Sequence, residues 1–184
     1  MGISRKYKFS DNDKLYFISF AVVYWIDLFI RKEYKDIVIE SWKYCQQQKD
    51  LDIYSWCIMT SHVHMIIGSR GRKLDKIVGE MKSFTSRSLR DAIGEHQGES
   101  RKEWMVWLME GAGKKNGNNR DWQLWQQNNK PLEILSVDMF YQKMDYIHRN
   151  PVEAGFVDNE EDYLYSSARD FYDQKGLIDL CYIA

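Results

Sequence analysis

Residues 51 to 69 constrain this chain more than any other stretch. "LDIYSWCIM" is rich in β-branched and aromatic residues, the polar pair "TS" follows, and "HVHMIIG" resumes the strand-like pattern. Two such runs joined by so short a link form an antiparallel hairpin, which excludes an all-helical fold. Successive side chains on a strand point to opposite faces, so His62 and His64 share one face, about 6.5 to 7 Å apart, while Val63 turns away. The chain holds four histidines, and two of them stand in this one strand.

The other elements follow from periodicity. Residues 15 to 24 have the aromatic and β-branched content of a strand covered on both faces. From Lys32 to Gln48 the positions Tyr34, Ile37, Val38, Trp42 and Cys45 recur at helical spacing, with Lys and Glu between them. After the hairpin, Leu74, Ile77, Val78, Met81, Phe84 and Leu89 open a second stripe of 3.6-residue period that ends near Gly94.

Residues 95 to 121 interrupt the pattern with "GEHQGES" and "GAGKKNGNNRD" around an apolar island, "EWMVWLM". They are expected to form an excursion or insertion. "WQLWQQ", residues 122 to 127, is expected to supply a fourth strand. "SVDMFYQKMDYIHRN" reads as a further helix, with Ser136 or Asp138 as N-cap and Pro151 marking its end. A turn-rich tail runs from about 152 to 184.

The order β-α-β-β-α-β is the ferredoxin-like arrangement, an α+β fold with an antiparallel sheet and helices on one face. The C-terminal helix and tail are additions to it. At 184 residues the chain is long enough for one domain with a real core, expected to span 1–184.

Charge and cysteines set the expected surroundings. A formal net charge of -1 offers no overall basic excess, so a nucleic-acid site must be local. Cys45, Cys57 and Cys181 are odd in number and sit in apolar surroundings, as reduced thiols in a cytoplasmic protein do. The apolar run "LYFISFAVVYWIDLFI" is shorter than the roughly 20 residues that span a bilayer, and Asp27 interrupts it, so no membrane segment is expected. "GAGKKNGNNR" fails as a phosphate-binding loop, because Leu108 stands where a glycine is needed and no Ser or Thr follows the lysine.

Two imidazoles on one strand face can converge on one ion, although half-exposed polar residues alternating with core residues would look the same. A cupin-type site needs a carboxylate where Gly68 and Ser69 stand, and a barrel amidohydrolase needs eight strand-helix units. In "KMDYIHRNP", Tyr146 and Asn150 are i and i+4, on one helix face about 6 Å apart along the axis. They would present a phenol and an oxygen ligand together, while packing for Tyr146 and a helix cap for Asn150 is the plainer alternative. His148 lies about 200° around the helix from Tyr146 and should point away.

"MTSHVHMIIG" resembles the His-hydrophobic-His motif of the single-tyrosine HUH transposases. "DYIHRNPVEAGFV" followed by "EDYLYSSARDFY" resembles the tail signature of their REP-associated tyrosine transposase branch, and "MKSFTSRSL" and "LWQQ" extend the likeness over nearly the whole chain. This resemblance implies a metal-assisted transesterification on single-stranded or hairpin DNA. His62, His64 and Asn150 match the positions that hold a divalent cation, Mg or Mn, and Tyr146 matches the nucleophile. The implied intermediate is a 5′-phosphotyrosine with a free 3′-OH. The resemblance leaves a monomer or a homodimer open: relatives of the insertion-sequence type work as dimers with the tyrosine helix exchanged, whereas the REP-associated branch is able to act as a monomer.

For the DNA path, Lys82, Arg87 and Arg90 lie off the apolar stripe of the second helix, and Arg70, Arg72 and Lys73 follow the hairpin. Lys114, Lys115 and Arg120 form a further basic group in the excursion. Two other readings stay open: a catalytically inactive DNA-hairpin-binding protein of the same fold, and a metal-dependent hydrolase of a small phosphoester.

Overall fold

The computed structural model describes residues 9, 11, 13–117, 121–127 and 130–183. Four strands form one antiparallel sheet in the order β2-β3-β1-β4: β1 (Tyr16–Ala21), β2 (Leu51–Ile58), β3 (His62–Ser69) and β4 (Leu132–Glu133). The helices are α1 (Lys32–Gln48), α2 (Leu74–Glu95), α3 (Lys102–Lys114) and α4 (Val137–Glu153). This is the expected α+β fold.

Strand alternation splits the core in two. Tyr16, Ile18 and Phe20 of β1 and Val63, Met65 and Ile67 of β3 face α1 and α2, around the fully buried Tyr34, Trp42 and Trp56. The opposite sheet face is covered by α4, whose Phe140, Met144 and Ile147 pack on Cys57, Met59 and Ile66. His62 and His64 alternate with Val63 and Met65, so they share the face on which α4 lies. A bulge at Tyr54, between the pairs Ile53↔Ile67 and Ser55↔Ile66, brings Ser55 to the α4 side.

Three sequence expectations need correction. Residues 122–127 do not form the fourth strand: they make a single bridge, Val22↔Trp125, and β4 is the short Leu132–Glu133 segment beside Tyr16 and Phe17. The segment reads as a strand from its aromatic and apolar content, but backbone hydrogen bonds to Ala21, Val23 and Met109 and the Trp125 indole bond to Thr85 hold it. A Cβ on Gly113 would stand 2.3 Å from the backbone nitrogen of Trp122. The first strand stops at Ala21 and not at residue 24, because Tyr24 and Trp25 both adopt φ of 56° and turn the chain away. Finally, α4 runs through Pro151 to Glu153. A proline in the last turn forfeits one helical hydrogen bond, and burial of its ring offsets the loss.

The apolar island of the excursion is α3, with Met105, Met109 and Ala112 turned to the core. Just before it, the Glu99 side chain is fully buried and accepts from Arg31 Nε at 2.7 Å and Arg101 Nη2 at 2.8 Å. Arg101 also donates to the Asp27 carbonyl at 2.7 Å, linking this clamp to the loop after β1. The tail runs along β2, where Ile58 donates to the Tyr165 carbonyl at 2.9 Å and Cys181 to that of Ile53 at 2.8 Å. The three cysteines are free, and no helix among the described residues is long and apolar enough to cross a membrane.

Candidate functional site

His62 pairs with Ala21 and His64 with Ser19 across the β1–β3 ladder. Their rings are 4.8 Å apart between centroids and nearly perpendicular, at 80°. Ser61 Oγ lies 3.2 Å from Nδ1 of His62. His64 is 5% exposed, and both of its ring nitrogens are buried without a hydrogen-bond partner. Burial, with His62 beside it, pushes the His64 pKa down to about 3, and burial also lowers that of His62 against the opposing pull of Asp27. Both imidazoles are therefore held neutral, the form that ligates metals.

The phenol lies beside them. Ser136 Oγ accepts from the Met139 N–H at 3.1 Å and fixes the start of α4. Three turns further on, the half-exposed Tyr146 ring stands edge-on to His64, centroids 5.2 Å apart. Phe17, two residues along β1 from Ser19, stacks on His64 at 5.7 Å and meets Tyr146 edge-on at 6.0 Å. The Lys143 ammonium, one turn before Tyr146, lies 5.4 Å from the Phe17 ring centre and 5.9 Å from that of Tyr146. Asn150 donates its carboxamide N–H to the Tyr146 carbonyl at 2.7 Å, so its side-chain oxygen takes no part in that hydrogen bond.

Unpartnered buried nitrogens are costly, roughly 1–3 kcal/mol each, and a cation shared by the two imidazoles would satisfy one of the two on His64. Among the described residues no group of three or more His, Cys, Asp or Glu comes together. A cation at this place would rest on two imidazoles with neutral oxygen donors. His148 points elsewhere: its Nε2 lies 2.8 Å from Ser167 Oγ and 3.2 Å from Ser55 Oγ, and it is buried under the tail.

The basic residues are not gathered at the imidazoles. Arg70 pairs with Asp52 at 2.9 Å and Arg72 with Glu80 at 2.5 Å, while Lys49 also pairs with Glu80. These lie at the other end of β3 from His62, roughly 25 Å away along the strand. Lys73 stands exposed just before α2.

Lys82, Arg87 and Arg90 line a groove of about 1030 Å³ on the α2 side of the sheet, away from α4, with Trp122 and Gln126 opposite. In it Lys82 donates to the Gln126 carbonyl at 3.1 Å, and burial brings its pKa down to about 8. Arg87 donates to Ser83 at 2.8 Å, and Arg90 lies 5.1 Å from the Trp122 ring centre and 3.7 Å from Glu110. Lys114 and Lys115 are exposed at the end of α3, and Arg120 lies outside the described residues.

Sequence reasoning missed Phe17, Lys143 and Trp25. The first follows from strand register and the second from i, i+3 spacing to Tyr146. Trp25, whose ring meets that of His62 at 5.4 Å, had no sequence signal.

A family model for IS200-like transposases matches residues 16–108. Among solved structures, the chain is similar to a REP-associated tyrosine transposase bound to a REP hairpin, at 14% identity and a TM-score of 0.64, covering 100% of this chain and 95% of that one. A candidate transposase from Deinococcus radiodurans R1 aligns at 17% identity over 80% of this chain and 95% of that one, at a TM-score of 0.44, too low to bear on the fold. No curated protein matches.

Proposed function

The chain belongs to the IS200-like transposase family, and on that premise we propose that it cuts and rejoins single-stranded DNA next to a hairpin through a covalent 5′-phosphotyrosine at Tyr146. One observation carries the reading. Within a single chain, the Tyr146 ring stands 5.2 Å from a buried imidazole whose two nitrogens have no protein partner. That supports catalysis by a monomer, with the chain from 1 to 184 as one unit. The solved neighbour is bound to a REP hairpin, and we extend a hairpin ligand to this chain.

His62, His64 and the Asn150 side-chain oxygen would hold a divalent cation, Mg or Mn. When bound, the ion supplies a positive charge that polarises a non-bridging phosphate oxygen and suits an anionic diester. Tyr146 Oη bonds to phosphorus as the P–O3′ bond breaks. The phenol gives its proton to solvent, and the departing 3′ oxygen takes one up. Because one phosphodiester replaces another, a 3′-OH can reverse the step without external energy. An ordinary tyrosine phenol ionises at about pH 10, so it needs help at neutral pH. Lys143, close above the Tyr146 ring, supplies positive charge beside the forming phenolate.

For the DNA we assign phosphate contacts to Lys82, Arg87 and Arg90 in the groove, to Lys114, Lys115 and Arg120, and, with less free charge, to Arg70, Arg72 and Lys73. Incubation with labelled single-stranded hairpin oligonucleotides and Mn²⁺ should give an SDS-stable adduct that disappears in Tyr146→Phe. An adduct surviving that change would remove Tyr146 from the mechanism. Hairpin binding with no adduct in the unaltered protein would leave a DNA-hairpin-binding protein of the same fold.

A further inference from the structure

The loop after β1 carries two bulky aromatic residues in a conformation that favours glycine. Tyr24 and Trp25 both have φ of 56°, a region that side chains with a Cβ enter only against steric resistance. Burial of the rings does not compensate, because Tyr24 is 52% and Trp25 58% exposed. The strained turn is held from both sides by longer-range hydrogen bonds. Val23 donates to the Leu124 carbonyl at 2.7 Å and Val22 to that of Ser61 at 2.8 Å, while Trp25 donates back to Val22 at 3.0 Å. Strain of this kind, held in place by its surroundings, is characteristic of functional positions.

What the turn achieves is the placement of one ring. The Trp25 indole meets His62 edge-on, with centroids 5.4 Å apart and planes at 71°. His62 meets His64 at 4.8 Å, and His64 meets Tyr146 at 5.2 Å. The four rings form a row with the imidazole pair between the phenol and the indole. A phosphate seated on the imidazoles therefore has the nucleophile on one side and an exposed indole on the other.

In-line displacement at phosphorus puts the leaving oxygen opposite the attacking one. With Tyr146 attacking, the departing 3′ oxygen and its nucleoside lie on the Trp25 side. From this geometry we propose that Trp25 is a positioning residue: its indole stacks on the unpaired base of the nucleotide immediately 5′ of the cut, the one that leaves with the free 3′-OH. An exposed aromatic ring beside a strand-binding site offers a sequence-tolerant stacking surface to any base. Stacking there would hold the 3′-OH in line for the reverse, rejoining step. The side assigned to the base rests on the transesterification proposed above, whereas the stacking itself does not.

Two measurements separate these. In EDTA, where no cutting occurs, fluorescein-labelled single-stranded dT oligonucleotide is titrated into Tyr146→Phe protein with and without Trp25→Ala or Trp25→Phe. Loss of one stacked base weakens binding about ten-fold, and Trp25→Phe should restore most of it. Equal binding by the Trp25→Ala form, at unchanged melting temperature, would overturn the platform.

In Mn²⁺, with Tyr146 present, adduct formation is compared for oligonucleotides with an abasic residue just 5′ or just 3′ of the mapped cut. The 5′ lesion should slow adduct formation and rejoining about as much as Trp25→Ala does, with no further loss when the two are combined. The 3′ lesion should leave the Trp25 effect intact. A Trp25 effect abolished by the 3′ lesion instead would overturn the assigned side. Absence of any adduct would remove the transesterification and the side with it, while the binding titration still decides the platform.

Discussion

Replacing Glu99 by glutamine tests how the loops around the site are held. Its carboxylate side chain is fully buried and accepts from Arg31 Nε at 2.7 Å, from Arg101 Nε and Nη2 at 2.9 and 2.8 Å, and from the Arg101 backbone at 3.1 Å. The Arg101 hydrogen bonds are the foremost cause, with those from Arg31 next, holding its pKa at about 2 against an ordinary 4.5. At about 1.4 kcal/mol per pH unit, this displacement corresponds to about 3 kcal/mol of stability. The figure agrees with the roughly 3–5 kcal/mol cost of breaking a buried ion pair.

Because the folded-state pKa is the lower one, the contribution is complete above about 4.5 and disappears as pH falls through about 2. Urea unfolding followed by tryptophan fluorescence at a series of pH values reads this directly. Glu99→Gln should be about 3 kcal/mol less stable at pH 7, with a melting temperature roughly 6–12 °C lower. The gap should close between about pH 4.5 and 2. A gap below about 0.5 kcal/mol at pH 7, or one that stays constant down to pH 2.5, would refute this account of the clamp.

Three further outcomes follow from the geometry. Gly113→Ala should lose about 1–3 kcal/mol, because its Cβ would meet the Trp122 backbone, whereas Gly79→Ala, with nothing within 4 Å of the added atom, should gain up to about 1 kcal/mol in α2. Chemical denaturation of the two variants checks the contrast, and equal signs would refute it. Ser136→Ala should lower stability by about 1 kcal/mol through loss of the α4 cap, and unchanged thermal melting would show that the capping bond contributes nothing. His64→Ala should abolish Mn²⁺ binding measured by calorimetry while the protein stays folded, and undiminished Mn²⁺ affinity would place the cation elsewhere.

The legible parts of this chain are those where periodicity and local chemistry agree. The α1 limits, Lys32 to Gln48, follow from an unbroken amphipathic stripe, and the β2–β3 hairpin from two strand-like runs around "TS". The juxtaposition of His62, His64 and Tyr146 was readable from strand alternation, a helical i+4 pair and the family resemblance together.

The failures arise where distant contacts decide. "WQLWQQ" has the aromatic and apolar content of a strand, but Leu124 and Trp125 are adjacent and both buried, among neighbours from α2, α3 and β1 that sequence spacing cannot reveal. The turn at Tyr24 and Trp25 looks like continued strand, since the hydrogen bonds that hold it come from residues near 61 and 124. Proline at 151 reads as a terminator because the cost of a proline is general, but at the last turn that cost is small. Basic residues could be located but not their partners: Asp52 and Glu80 occupy Arg70 and Arg72.

The most direct test of the central claim is to identify the amino acid that carries the DNA. After reaction with a labelled hairpin oligonucleotide and Mn²⁺, nuclease trimming and proteolysis, mass spectrometry should find the peptide containing Tyr146 bearing a 5′-linked nucleotide on the phenolic oxygen. No such mass should appear in EDTA. A nucleotide attached to any other residue, or free cleavage products with no modified peptide, would contradict the account.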